Sequence, residues 1–286
     1  MSLLPGVLSD SYRRQLRHIG STLPVDVILP KINLLQTELG IERIGLDIGI
    51  RQLGPTDEVS LSKLRNRFET GGIRPTVILS TVSLHADRQV WEPALRRAIQ
   101  DLEIAGGLGA SIAMFFFDSP GRVTREGRIS RAVERLSTLA ASASNRGIRL
   151  ATENYDYFNS VDFIRIFDGV GKDRVGLNND VGNWLILGED PVEATREMSA
   201  YTIHSHIRDY VLTEGVYRSV PVGTGSVPID SVLKTLAEVG GAQPHFTFSV
   251  EMDLDSGNSN DEDMAVRSSL EYVNRWIQKH AAQERS

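Results

Sequence analysis

Residues 203–209, IHSHIRD, hold the densest group of side chains able to do chemistry. As a β-strand the stretch alternates faces, so Ile203, Ser205 and Ile207 share one side and His204, His206 and Arg208 the other. Two imidazoles and a guanidinium on one strand face are costly to bury unless paired or bound. Residues 246–251, FTFSVE, divide in the same way: Phe246, Phe248 and Val250 on one side, Thr247, Ser249 and Glu251 on the other. Two further strand-like runs end in acids, at Glu153 and Asp180. Set side by side as neighbouring staves of a barrel, these four runs bring Glu153, Asp180, His206 and Glu251 to one height. Three carboxylates and an imidazole make an oxygen-dominated site. Such a set suits one divalent ion, with Mn2+ favoured and Mg2+, Co2+ or Zn2+ as alternatives. Without a cation, three converging carboxylates repel, and at least one holds a proton.

The elements that must position these residues alternate along the whole chain. Strands are expected at 17–22, 42–48, 74–80, 111–117, 148–154, 174–180, 203–209 and 246–252. Helices are expected at 25–39, 60–70, 91–105, 129–145, 160–167, 191–200, 230–239 and from about 263 to 280. Gly40, Gly71-Gly72, Gly106-Gly107, Gly147 and Gly240-Gly241 supply the stops, and Asp190 is an N-cap candidate. Residues 210–228 form the longest connection. Eight strand–helix pairs with short links make a single (β/α)8 TIM barrel the economical fold, over residues 1–286 with 1–15 as an N-terminal arm and 281–286 as a frayed tail. A doubly wound sheet would need a glycine-rich phosphate turn after an early strand, and GTGSVP at Gly223 lacks that spacing.

Bulk properties narrow the class. The chain has 286 residues, 41% hydrophobic and 24% charged, with no cysteine and a net charge of −6. The absence of cysteine rules out disulfides, thiolate metal sites and a cysteine nucleophile. The acidic balance argues against nucleic acid or an anionic membrane as partner. No apolar run approaches a membrane span, and the N-terminus lacks the pattern of a signal peptide, so a cytoplasmic protein is expected.

The ordered motifs LATEN (150–154), GLNNDVGN (176–183), HIRD (206–209), the GTG…ID turn (223–230) and FSVE (248–251) resemble those of the sugar isomerase/epimerase barrels related to xylose isomerase. The resemblance runs from Gly20 to Glu251. It implies metal ligation by Glu153, Asp180, His206 and Glu251, with Glu153 and Glu251 as proton acceptor and donor on opposite faces of a small polyhydroxylated carbonyl substrate. Three positions depart from the family pattern: Asn183 where histidine is frequent, Thr224 where an acid is common, and Asp47 where strand two often ends in Glu. Asn183 donates hydrogen bonds but cannot shuttle a proton near neutral pH.

Around this set stand residues with two readings each. His204 reads as a core histidine rather than a ligand, and Asp47 and Asp118 as turn residues or supports of the ligands. Tyr155, Tyr157, Phe158 and Trp184 either line a sugar pocket or seal loops at the mouth. Arg208 and Arg218 either hold a substrate acid group or, respectively, pair with a neighbouring acid and face solvent. His85 follows strand three and reaches the mouth or stays in its own loop. Isomerisation or epimerisation through an enediolate is the first expectation. A metal-dependent lyase, dehydratase or decarboxylase, shares its first half and comes second. A DNA-repair endonuclease needs more histidine ligands than six histidines and this acidic chain offer, and ranks low. A homo-oligomer is expected from the fold type.

Overall fold

The computed structural model describes residues 3–155, 157–240, 246–254 and 259–283. Eight parallel strands close into a barrel: β1 (Leu4–Leu8), β2 (Ile44–Gly49), β3 (Ile73–Ile78), β4 (Ile112–Phe115), β5 (Arg149–Glu153), β6 (Val175–Asp180), β7 (Thr202–Ile207) and β10 (Thr247–Val250). The helices are α1 (Arg13–Leu16), α2 (Pro24–Leu39), α3 (Glu58–Thr70), α4 (Arg88–Gly107), α5 (Arg125–Ser144), α6 (Ser160–Val170), α7 (Asn183–Leu187), α8 (Pro191–Glu197), α9 (Ile229–Gly240) and α10 (Ser259–Gln283). Local chemistry sets their ends. Asp57, Asp87, Thr124, Asn159 and Asp190 cap the N-termini of α3, α4, α5, α6 and α8 with side-chain oxygens. Gly40 ends α2 in the left-handed region at φ 63°.

The main core lies between staves and helices. Val7, Leu46, Val77, Leu150, Leu177, Ile207, Phe248 and Val250 face outward there and meet Ile28, Phe68, Leu102, Leu136, Phe163, Leu233 and Leu270 from the helices. A smaller cluster, Met114, Ala151 and Ile203, forms separately inside the barrel. The inner faces of the staves are thereby left for polar groups near the mouth.

Five expectations are corrected. The first stave is Leu4–Leu8, not 17–22, which forms turns between α1 and α2. Pro5-Gly6 disguises this strand, because both residues are rare in strand interiors. Its glycine has a packing reason: a Cβ on Gly6 would stand 2.6 Å from side-chain atoms of Ser249 and Thr247. Residues 4–16 are therefore not an arm, since they supply that stave and then α1. At the other end, 281–283 complete α10 rather than fraying, while Gly241 and residues 284–286 lie outside the described residues.

The connection 210–228 carries a hairpin of β8 (Asp209–Thr213) and β9 (Val216–Val220). Its central residues Glu214 (φ 52°) and Gly215 (φ 79°) take the paired positive φ of a tight hairpin turn. Finally, β7 does not alternate strictly. Its register with β6 slips between Leu177, opposite Thr202, and Asn178, opposite His204. Ile203 is the extra residue, and it turns into the interior cluster with Met114 and Ala151 instead of sharing a face with Ile207.

Candidate metal centre at the carboxyl mouth

The bulge in β7 decides the geometry of the site. Beyond it His206 stands opposite Asp180. Without the extra residue Ser205 would take that place. On its other side His206 is level with Ser249, so Glu251 rises two residues further along the chain. Glu153, Asp180, His206 and Glu251 each offer one ligand atom, and all four atoms lie within 4.8 Å of one another. His206 Nδ1 is 2.7 Å from Glu153 Oε2 and 2.7 Å from Glu251 Oε2.

Each carboxylate is held by its own set of donors. Asp180 Oδ1 accepts the backbone N–H groups of Gly182 (2.9 Å) and Asn183 (3.0 Å). The Asn154 amide grips the Asp180 backbone at both ends, donating to its carbonyl (2.9 Å) and accepting from its N–H (2.8 Å). Glu153 Oε1 accepts from Asn183 Nδ2 and Oε2 from Asn178 Nδ2, both at 3.0 Å. Glu251 Oε1 is gripped by the Arg208 guanidinium. Arg208 also donates to Tyr210 Oη (2.8 Å) and lies 3.7 Å from Asp180 Oδ2.

Asp180 Oδ2, His206 Nδ1 and Glu251 Oε2 are buried and have no aligned hydrogen-bond partner among the described residues. Three of the four candidate ligands thus leave a donor atom unspent, and the fourth, Glu153 Oε2, lies beside one of them. The set fits a divalent cation of intermediate hardness. Protons compensate the charge in its absence. Burial pushes Asp180 up to about 6, helped by Glu153 and opposed by Arg208. His206 is pulled down by burial, but the carboxylates of Asp47 and Glu153 outweigh this and raise it to about 9. Arg208 is likewise desolvated, yet Asp180, Tyr210 and Glu153 hold its charge more firmly than usual.

The incoming ion must displace the His206 proton at any pH below about 9, and an Asp180 proton as well below about 6. Affinity is expected to fall about tenfold per unit as pH drops from 9 to 6, and more steeply below. Isothermal titration with Mn2+ across that range measures it, and a flat profile would contradict the assignment.

The remaining sequence candidates separate. Trp184 is fully buried and its indole N–H is spent on Asn179 Oδ1 (2.8 Å), so it packs behind β6 rather than lining the pocket. Phe158 is also sealed, edge-on to Phe117 and Phe163. Tyr155, 48% exposed, stands at the rim. Arg218 lies exposed on the outer strand of the hairpin, opposite Val211. His85 is half-buried in a loop that Arg135 pins through the Ser83 and His85 carbonyls, and its Nδ1 accepts from the Asp87 N–H (3.1 Å).

Four contributors went unread in the sequence. Asn178 was findable, since it sits two residues before Asp180 on the same strand face. Asn154 follows Glu153 in the LATEN motif, with no spacing that ties it to Asp180. Asp209 accepts backbone N–H groups from Gly223 (3.0 Å), Gly225 (2.8 Å) and Val227 (3.0 Å), which ties the HIRD and GTG motifs into one unit. Tyr210 joins Arg208 to Asn183, its hydroxyl donating to Asn183 Oδ1 at 3.4 Å. Nothing in one-dimensional spacing marked these last two contacts.

Fold and site together define a (β/α)8 barrel with a carboxylate–imidazole cluster, able to hold a cation, at the C-terminal ends of adjacent staves. The family model described as xylose isomerase-like TIM barrel matches residues 38–276, and the chain belongs to that family. No curated protein matches it in sequence. Among solved structures, D-psicose 3-epimerase in the presence of D-fructose superposes with a TM-score of 0.75 at 16% identity, covering 96% of this chain and 99% of that one. The IOLI protein with a bound zinc atom gives 0.73 at 18% identity, covering 97% and 99%. A xylose isomerase-like TIM barrel protein from Mycobacterium smegmatis in complex with magnesium gives 0.68 at 22% identity, covering 92% and 91%. At these identities the similarity establishes the fold. Among the described residues no helix is long and apolar enough to cross a membrane.

Proposed function

We propose that the chain is a divalent-metal-dependent isomerase or epimerase of a small sugar or keto-sugar, working through an enediolate. The observation that carries this reading is the pair Glu153 and Glu251, each 2.7 Å from the same imidazole nitrogen of His206. Sugar epimerases among the structural relatives support it. Glu153, Asp180, His206 and Glu251 would hold the ion, which supplies polarisation of the substrate carbonyl and stabilisation of the enediolate oxygens. Mn2+ suits the three-oxygen, one-nitrogen set best, with Mg2+, Co2+ and Zn2+ as alternatives.

The protein's own groups then divide the work. Glu153 takes the proton from the carbon next to the carbonyl, its orientation fixed by the amides of Asn178 and Asn183. Glu251 returns a proton from the other side, with Arg208 holding its far oxygen. Asn183 donates to Glu153 and accepts from Tyr210, so it orients Glu153 and moves no proton.

A lyase remains the second reading, favoured by the amide at position 183. Against it, the Arg208 guanidinium is already engaged by Glu251 and Tyr210 and is not free to hold a substrate acid group. Incubating the Mn2+-loaded protein with ketopentoses and ketohexoses in D2O separates the two. One solvent deuteron in an isomeric or epimeric product is the expected result. A product lighter by water or carbon dioxide would replace this reading with the lyase.

A further inference from the structure

Beneath the four candidate ligands lies a second polar contact that the proposed chemistry does not use. Asp47 on β2 and His204 and His206 on β7 are all fully or almost fully buried. Asp47 Oδ2 meets His204 Nε2 at 3.0 Å and His206 Nε2 at 3.2 Å. In the barrel order β1 and β10 stand between β2 and β7, so the contact crosses the interior instead of joining neighbouring staves. The two rings sit 5.8 Å apart at 77°, converging on one carboxylate oxygen.

An ionised carboxylate only accepts hydrogen bonds, so each Nε2 facing it must carry a hydrogen for the contact to be attractive. This fixes the imidazole of His206. With its proton on Nε2, the lone pair of the neutral ring sits on Nδ1, the atom placed between Glu153 and Glu251 and lacking an aligned partner. The opposite tautomer would turn an N–H toward the candidate ion and a lone pair toward Asp47, and would be repelled at both ends. His204 donates to the same oxygen and so holds the carboxylate in place.

We propose that Asp47 is a positioning residue that selects the His206 tautomer able to ligate a metal, with His204 bracing it. The inference rests on the metal reading above and adds to it a group outside the ligand set. Its physical competitor is a second ion held by Asp47, His204 and His206 themselves, since these three also lie close enough to share one.

The experiment uses the metal-free full-length protein and Asp47→Asn, titrated with Mn2+ while free ion is read by electron paramagnetic resonance. One ion per wild-type chain is expected, with binding weakened about 10–100-fold in Asp47→Asn. His204→Gln, which alters no ligand, is expected to weaken binding in the same direction and by less. A second readout is the imidazole 15N spectrum of the metal-free wild-type protein at a pH where the ring is neutral, which should show His206 protonated at Nε2 and not at Nδ1. This spectrum decides the matter even where Asp47→Asn fails to fold. Unchanged affinity in Asp47→Asn, or a proton on Nδ1, overturns the proposal. Two ions per wild-type chain, one of them lost in Asp47→Asn, would make Asp47 a ligand and overturn it too. A wild-type chain that binds no ion removes the metal reading and this inference together, whereas normal wild-type binding with an indifferent Asp47→Asn removes only the inference.

Discussion

Replacing Glu153 with Gln is expected to slow deuterium exchange at the substrate carbon by about 10^2–10^4-fold, the range lost when a positioned general base is removed. The substitution keeps the shape of the side chain and removes its basicity. It also disturbs orientation, because both carboxylate oxygens accept from amide donors, Asn183 Nδ2 and Asn178 Nδ2, each at 3.0 Å. A Gln must point its own NH2 at one of them, so a lower metal affinity is expected beside the lost exchange. A comparison with Glu251→Gln isolates the chemical role. Glu251 has one oxygen on Arg208 and the other facing His206 Nδ1, so its loss removes the acid–base group on the other side of the centre. Where two carboxylates serve two faces, each variant should keep exchange with one epimer of the substrate and lose it with the other. Exchange lost equally from both epimers in both variants would mean that the carboxylates act only as ligands.

The parts of this centre that could be read from the sequence are those that depend on alternation within one strand. Glu153, Asp180 and Glu251 each end a strand-like run, and period-two alternation puts His206 on the polar face of its strand. The detailed pairing between strands was not readable. The bulge at Ile203 is a property of how β6 and β7 pair, and it alone aligns His206 with Asp180. The first stave was hidden by Pro5-Gly6, whose local preference opposes a strand while the barrel interior demands a residue without a side chain there. The Glu214-Gly215 turn lacks the Asn-Gly or Asp-Gly pair that announces a hairpin, so 210–228 read as a plain loop. Trp184 shows the limit for aromatics. Its position after a ligand strand suggested the pocket, but a residue of its size beside an outward-facing Asn179 is buried in the helix layer.

The position of Asn183, where the family often has histidine, takes on a definite role once the contacts are traced. Its amide joins Glu153 to Tyr210, Tyr210 accepts from Arg208, and Arg208 holds Glu251. The two proposed acid–base carboxylates are therefore ends of one hydrogen-bonded chain running round one side of the centre. A histidine could make one of these contacts at each nitrogen but would bring a titrating group into the chain; the amide keeps the link without one. Tyr210 is also an early residue of the hairpin β8–β9, so the orientation of both carboxylates depends on how that hairpin seats against the mouth.

Arg208→Gln tests the charge balance on which this arrangement depends. Arg208 is buried with its guanidinium on Glu251 and near Asp180. Removing one partner from a buried ion pair leaves an uncompensated charge and typically costs about 3–5 kcal/mol. The metal-free variant is therefore expected to unfold at markedly lower denaturant concentration than the wild type. The loss should shrink on acidification, and the sign follows from Asp180. Its folded-state pKa, about 6, lies above the ordinary carboxylate value because burial disfavours the anion, so its ionisation weakens the fold as pH rises through 6. Arg208 opposes that rise, and without it the window moves to higher pH. An added divalent ion should act more strongly on the variant than on the wild type, because the ion and Arg208 neutralise the same two carboxylates. An ion at a hundred times its dissociation constant adds about 2.7 kcal/mol to a folded state it binds. A tighter constant in Arg208→Gln makes that increment larger at equal ion concentration. Urea unfolding of both proteins with and without Mn2+, at pH 5 and pH 8, measures these effects. If Mn2+ stabilises the two proteins equally at pH 8, the guanidinium and the ion do not share a site, and the cluster around His206 is an ion-pair network rather than a metal centre.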